Sequence, residues 1–171
     1  MTRVFEKKSS EKIVSKLNET LSRIASSTNQ KEFENLHDEF CRWFASIKTP
    51  ERHKKNGTID LSHNASYGQG AKVLDVALKV YIYYCHLPDS KTTDQIVKWL
   101  NATVDNEMMK HLKKMPDLEA SSIRANSIAD VDKETYIKIQ NLVRKDISSN
   151  FSGSILPVQW DDIMWRKLNK I

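Results

Sequence analysis

The sequence predicts an all-α fold, one compact domain of about six or seven helices around a buried central helix at about residues 70–86. Glycine and proline number only 4 each in 171 residues, where average usage gives about 12 and about 9. That is too few turn formers for a sheet protein of this length. Apolar residues instead recur every three or four positions, the helical repeat. A chain of 171 residues also buries roughly 70% of its unfolded surface, enough for a self-sufficient core.

The elements follow in order. Ile13, Leu17, Leu21 and Ile24 mark an amphipathic first helix at about residues 10–26, ended by Ser26-Ser27-Thr28. Asn29 with Glu32 opens the second as a capping-box-like pair, and Phe33, Leu36, Phe40, Trp43, Phe44 and Ile47 form its apolar stripe to about residue 48. The two should pack as a helical hairpin. Periodicity then fails over residues 49–66, a long surface loop carrying Arg52, His53, Lys54 and Lys55.

From about Gly70 to His86 the apolar residues cover most of the helical circle, as expected of a buried helix. Lys72, Asp75, Lys79 and His86 share one narrow polar seam. Leu87-Pro88-Asp89-Ser90 stops this helix; Thr92, Thr93 or Asp94 caps the next, which carries Ile96, Val97 and Leu100. A short basic helix follows at about residues 104–115, then a loop at 116–130. Asp132 starts a helix bearing Tyr136, Ile139, Leu142, Val143 and Ile147. After the Ser152-Gly153-Ser154 break, residues 155–160 read as extended before a last helix, and Trp160 with Trp165 predicts a tail, 151–171, docked on the core.

Several classes are excluded or disfavoured. Cys41 and Cys85 both lie in apolar helical patterns and read as buried free thiols. No spaced ligand set suggests a metal, and no cofactor is expected. The N-terminus lacks an apolar segment and no run approaches bilayer length, so the expectation is a cytoplasmic protein without membrane contact. The net charge of +5 favours anionic partners.

Gly68 and Gly70 precede the central helix, where exposed amides can seat a phosphate. Lys72 is placed in the first turn after them, against the helix dipole. That placement eases loss of its proton and suits a nucleophile. A carboxylate at Asp94 can stabilise positive charge developing on a sugar.

Gly68-Gln69-Gly70-Ala71-Lys72-Val73-Leu74-Asp75, a helix, a proline-containing loop and Asp94 resemble the hairpin and catalytic segment of the helix-hairpin-helix DNA glycosylases. The resemblance covers about 30 residues. It implies an all-α, DNA-binding fold that flips a base out of the stack, with Lys72 and Asp94 catalytic and Gly68 and Gly70 contacting phosphate. The same stretch with Tyr81, Tyr84, Cys85, Pro88, Tyr136, Asp161 and Trp165 is also similar to small uncharacterised bacterial proteins.

The expectation is therefore a small basic helical protein that binds nucleic acid, DNA, through Gly68, Gly70, Lys79, Arg52, Lys54 and Lys55, with glycosylase/lyase-like chemistry at Lys72 and Asp94 if it is an enzyme. The alternative is a non-enzymatic protein–protein interaction or inhibitor module. In a plainer reading the seam is an ion-pair edge, Asp75 pairing with Lys72 and Lys79, and Asp94 is an N-cap. The five histidines are scattered without ligand spacing, and Tyr81, Tyr83 and Tyr84 read as a buried aromatic layer.

Overall fold

The protein is described by a computed structural model over residues 7–49, 52–53, 59–60 and 63–169. The fold is all-α. Helices α1 (Lys7–Ala25) and α2 (Gln30–Ala45) precede a minimal ribbon of β1 (Arg52–His53) and β2 (Ile59–Asp60). Then come α3 (Tyr67–Leu78), α4 (Ser90–Ile96), α5 (Asn106–Leu112), α6 (Leu118–Ser122), α7 (Lys133–Phe151) and α8 (Pro157–Asn169). β1 and β2 pair antiparallel, Arg52 opposite Asp60, and an isolated bridge joins Lys48 to Asn64.

The expected α1–α2 hairpin forms, cross-linked by Arg23 and Lys16 on Glu39 at 2.8 and 3.3 Å. Asn29 caps α2 through the Glu32 amide, and Asp132 caps α7 through the Thr135 amide. The buried apolar side chains form one core, in which Ile24, Phe40, Leu74, Leu142 and Trp160 are wholly inaccessible.

α3 packs between α2 and the segment leading into α7, and its glycines permit the approach. A Cβ on Gly68 would lie 2.5 Å from Val131 Cβ and 2.7 Å from the Ile128 carbonyl oxygen. On Gly70 it would lie 2.8 Å from Phe44 Cβ and 3.2 Å from Cys41 Cα. These are contacts that only glycine allows.

Some boundaries differ from expectation. α3 starts at Tyr67, three residues before Gly70, because Ser66 and Gln69 form a capping box. It continues as a π-helical turn, Lys79–Tyr84. The wider turn shifts every later side chain from its α-helical position, and Tyr84 and Cys85 emerge on the surface instead of in a buried layer. α4 is capped by Asp89, not by Thr92, Thr93 or Asp94. The stretch 116–130 contains α6, which Lys145 of α7 holds through Asp117 and Glu119, each at 3.0 Å. α8 begins at Pro157, in the first-turn position proline favours. Trp160 is buried as expected, but Trp165 is 47% exposed.

Candidate functional site

α2 and α7 wall a cleft of 430 Å³. Residues four apart share a helix face, and on α2 this brings Phe33, His37 and Cys41 into one row; on α7 it aligns Tyr136, Gln140 and Arg144. Phe33, His37, Tyr136, Gln140 and Arg144 line the cleft, together with Tyr67 and Trp99.

A buried polar network forms the floor. His37 Nε2 lies 2.9 Å from Asp75 Oδ1, and the Tyr136 hydroxyl donates to Asp75 Oδ2 at 2.8 Å. The His37 and Tyr136 rings stack with centroids 5.5 Å apart. Asp75 of α3 thus ties α2 to α7, while its exposure is only 3%. The other imidazole nitrogen, Nδ1, faces Cys41 Sγ at 3.6 Å. Burial opposes a charge on the His37 ring, but the Asp75 carboxylate hydrogen-bonded to it outweighs this and raises the pKa above the ordinary imidazole value. Burial also pushes the Cys41 thiol up, so this sulfur is a poor nucleophile.

A pH dependence follows. Below pH 6.5, the ordinary imidazole value, His37 is protonated in folded and unfolded chains alike, and the pair contributes fully. Above that value the unfolded chain releases the proton and the folded chain keeps it until its own raised pKa is reached, so stability falls as pH rises. Urea midpoints measured from pH 6 to 10 should show this decline, and His37→Gln should flatten it. Parallel profiles for the two proteins would exclude a charged His37.

At the rim, Asp38 accepts from Tyr67 Oη at 3.1 Å, Arg42 Nε at 3.0 Å and Lys133 Nζ at 2.9 Å. Burial works against its charge, and these donors outweigh it and hold the carboxyl below the usual range. Lys31 lies 3.7 Å from Glu34. Arg144 differs. Its guanidinium donates to the Gln140 carbonyl at 3.2 Å and to Asn101 Oδ1 at 3.0 Å, both neutral, and among the described residues no carboxylate pairs with it. Gln140 itself clasps the backbone of Ala102 at 2.9 and 3.1 Å, which fixes Asn101 beside Arg144.

No protein-family model, curated protein or solved structure matches this chain.

The two residues expected to carry chemistry lie elsewhere. Neither Lys72 nor Asp94 lines the cleft. Lys72 is half-buried in the second turn of α3, because the helix starts at Tyr67; the dipole argument, which holds within the first turn, weakens there. Asp94 is exposed within α4, and no hydrogen bond or ion pair joins it to Lys72 among the described residues. The amides expected to hold phosphate are engaged inside the fold: Gly68 N–H donates to the Val131 carbonyl at 2.9 Å, Gly70 N–H to the Ser66 carbonyl at 3.2 Å.

Lys79 is bound by Asp161 and, at 2.6 Å, by Asp162. Burial lowers its proton affinity, but the two carboxylates raise it further, so its charge is already met. Asp75 pairs with His37 and Tyr136 in place of Lys72 and Lys79, which dissolves the single seam. Arg52 is placed in β1, while Lys54 and Lys55 lie outside the described residues. Among the described residues no three His, Cys, Asp or Glu side chains are grouped to hold a metal, and no helix is long and apolar enough to cross a membrane.

His37 and the Tyr136-Gln140-Arg144 row are not singled out by the sequence as site residues. The available signal was polar groups at four-residue spacing inside otherwise apolar stripes.

Proposed function

We propose that the α2–α7 cleft binds a small anionic ligand, with Arg144 as its anchor. The observation that carries this is the guanidinium at the cleft wall, oriented by two neutral oxygens and matched by no carboxylate among the described residues. Lys31 and Lys133 already have carboxylate partners, so an arriving oxyanion meets its uncompensated charge at Arg144. The guanidinium has five N–H donors and only some are engaged, which leaves donors for a phosphate or carboxylate. Holding the group in place beforehand lowers the entropy cost of binding. The cleft volume of 430 Å³ falls within the range of roughly 300–1,000 Å³ usual for small-molecule sites.

The expectation of an anionic partner, drawn from the net charge, narrows here to one cleft, and Lys72 and Asp94 take no part in it. Calorimetric titration with inorganic phosphate, pyrophosphate and ribose 5-phosphate tests the reading. At least one should bind. Loss of a charge-assisted hydrogen bond is worth about 1.5–3 kcal/mol, so Arg144→Ala should weaken binding by about tenfold or more. Arg144→Lys should recover part of the loss. Equal affinities for the parent and Arg144→Ala would refute the anchor.

A further inference from the structure

We infer that the ligand is a nucleotide unit, its base against Trp99 of the cleft and its phosphate on Arg144. This rests on the anion-binding reading above and adds the ring. Five cleft-lining rings run in a continuous series. Trp99 and Phe33 have centroids 6.3 Å apart, Phe33 and His37 6.2 Å, His37 and Tyr136 5.5 Å, and Tyr136 and Tyr67 5.7 Å.

Phe33, His37, Tyr136 and Tyr67 are 1%, 4%, 7% and 9% exposed, so their faces are taken up by the core and they back Trp99, which is half-buried and leaves ring surface open to the cleft. A dicarboxylate has no flat face to lay on that ring. A base has a π-face that stacks on it, whatever its identity.

The polar groups fit the same ligand. Asn35 and Asn141 line the cleft, and their carboxamides make no hydrogen bond with the described residues. Each offers a donor and an acceptor, the pairing that a base edge presents. The floor, by contrast, is closed to the ligand, since Asp75 is 3% exposed and each of its oxygens already accepts from His37 or Tyr136. Recognition is therefore confined to Trp99, the two amides and Arg144.

The test titrates the full chain with adenosine monophosphate, cytidine monophosphate, adenosine, ribose 5-phosphate and inorganic phosphate. The monophosphates should bind about tenfold more tightly than ribose 5-phosphate, the order of one base–aromatic contact, and also more tightly than adenosine. Trp99→Ala should bring the monophosphates down to the level of ribose 5-phosphate while leaving ribose 5-phosphate unchanged. Asn141→Ala, on an exposed position, should alter the preference between the two bases with folding intact.

If ribose 5-phosphate binds as well as the monophosphates, the nucleotide inference fails and the anion site stands. If none of the phosphorylated probes binds, both fail. A single-stranded oligonucleotide distinguishes the source. Tighter binding that weakens as salt rises assigns the site to an unpaired nucleotide of a strand, and affinity equal to that of the free monophosphate assigns it to a free nucleotide.

Discussion

Asp75→Ala should destabilise the protein by about 3–5 kcal/mol, the cost of removing one member of a buried ion pair. That is a large share of the roughly 5–15 kcal/mol that holds a domain folded. The carboxylate accepts from His37 and from Tyr136 at 2.9 and 2.8 Å. Without it, a buried imidazole must give up its charge and a buried phenol loses its acceptor, with little water to replace either, because His37 and Tyr136 are 4% and 7% exposed.

Tyr136→Phe should cost less, about 1–2 kcal/mol, since His37 still satisfies one carboxylate oxygen. Urea unfolding near neutral pH separates the two variants. A loss below 1 kcal/mol for Asp75→Ala would mean that the carboxylate is solvated and does not brace the three helices.

Gly68→Ala should also destabilise, by about 2–3 kcal/mol, the range of an overpacked core site. The sign is the informative part. Alanine in place of glycine inside a helix is ordinarily favourable by about 1 kcal/mol, so stabilisation would show that α3 has room beside it. The added methyl would sit 2.7 Å from the Ile128 carbonyl oxygen and 2.5 Å from Val131 Cβ. A backbone oxygen cannot rotate away as a side chain can. The start of α3 must shift, and the Gly68 amide then loses the Val131 carbonyl.

Roughly 2–4 °C of Tm per kcal/mol is expected for a chain of this size. Ligand affinity per folded molecule should be retained, because Gly68 is not part of the cleft lining. A glycine that contacted phosphate would give the opposite pattern, intact stability and weaker binding.

What was legible in the sequence was local. Asn29 and Asp132 mark helix starts, and both cap the amide three residues on. Gln69 three residues after Ser66 is the same kind of signal, but the adjacent glycines mask it, and α3 starts earlier than they suggest. The π-helical turn has no comparable mark. Lys79, Val80 and Tyr84 look like ordinary helix residues, yet Val80 and Tyr84 are 49% and 54% exposed. α6 leaves no local mark, because its five residues are held by Lys145, far along the chain.

By itself, then, the sequence determined the helical class, the order of the long helices and two of their caps, because those depend on neighbours within about one turn. Only the tertiary structure decided the cleft. His37, Asp75 and Tyr136 meet across separations of 38, 61 and 99 residues. A lysine on Asp75's own helix was an equally good partner on paper. Burial made the choice: Asp75 points into the core, where a carboxylate must find donors among the side chains that packing places there.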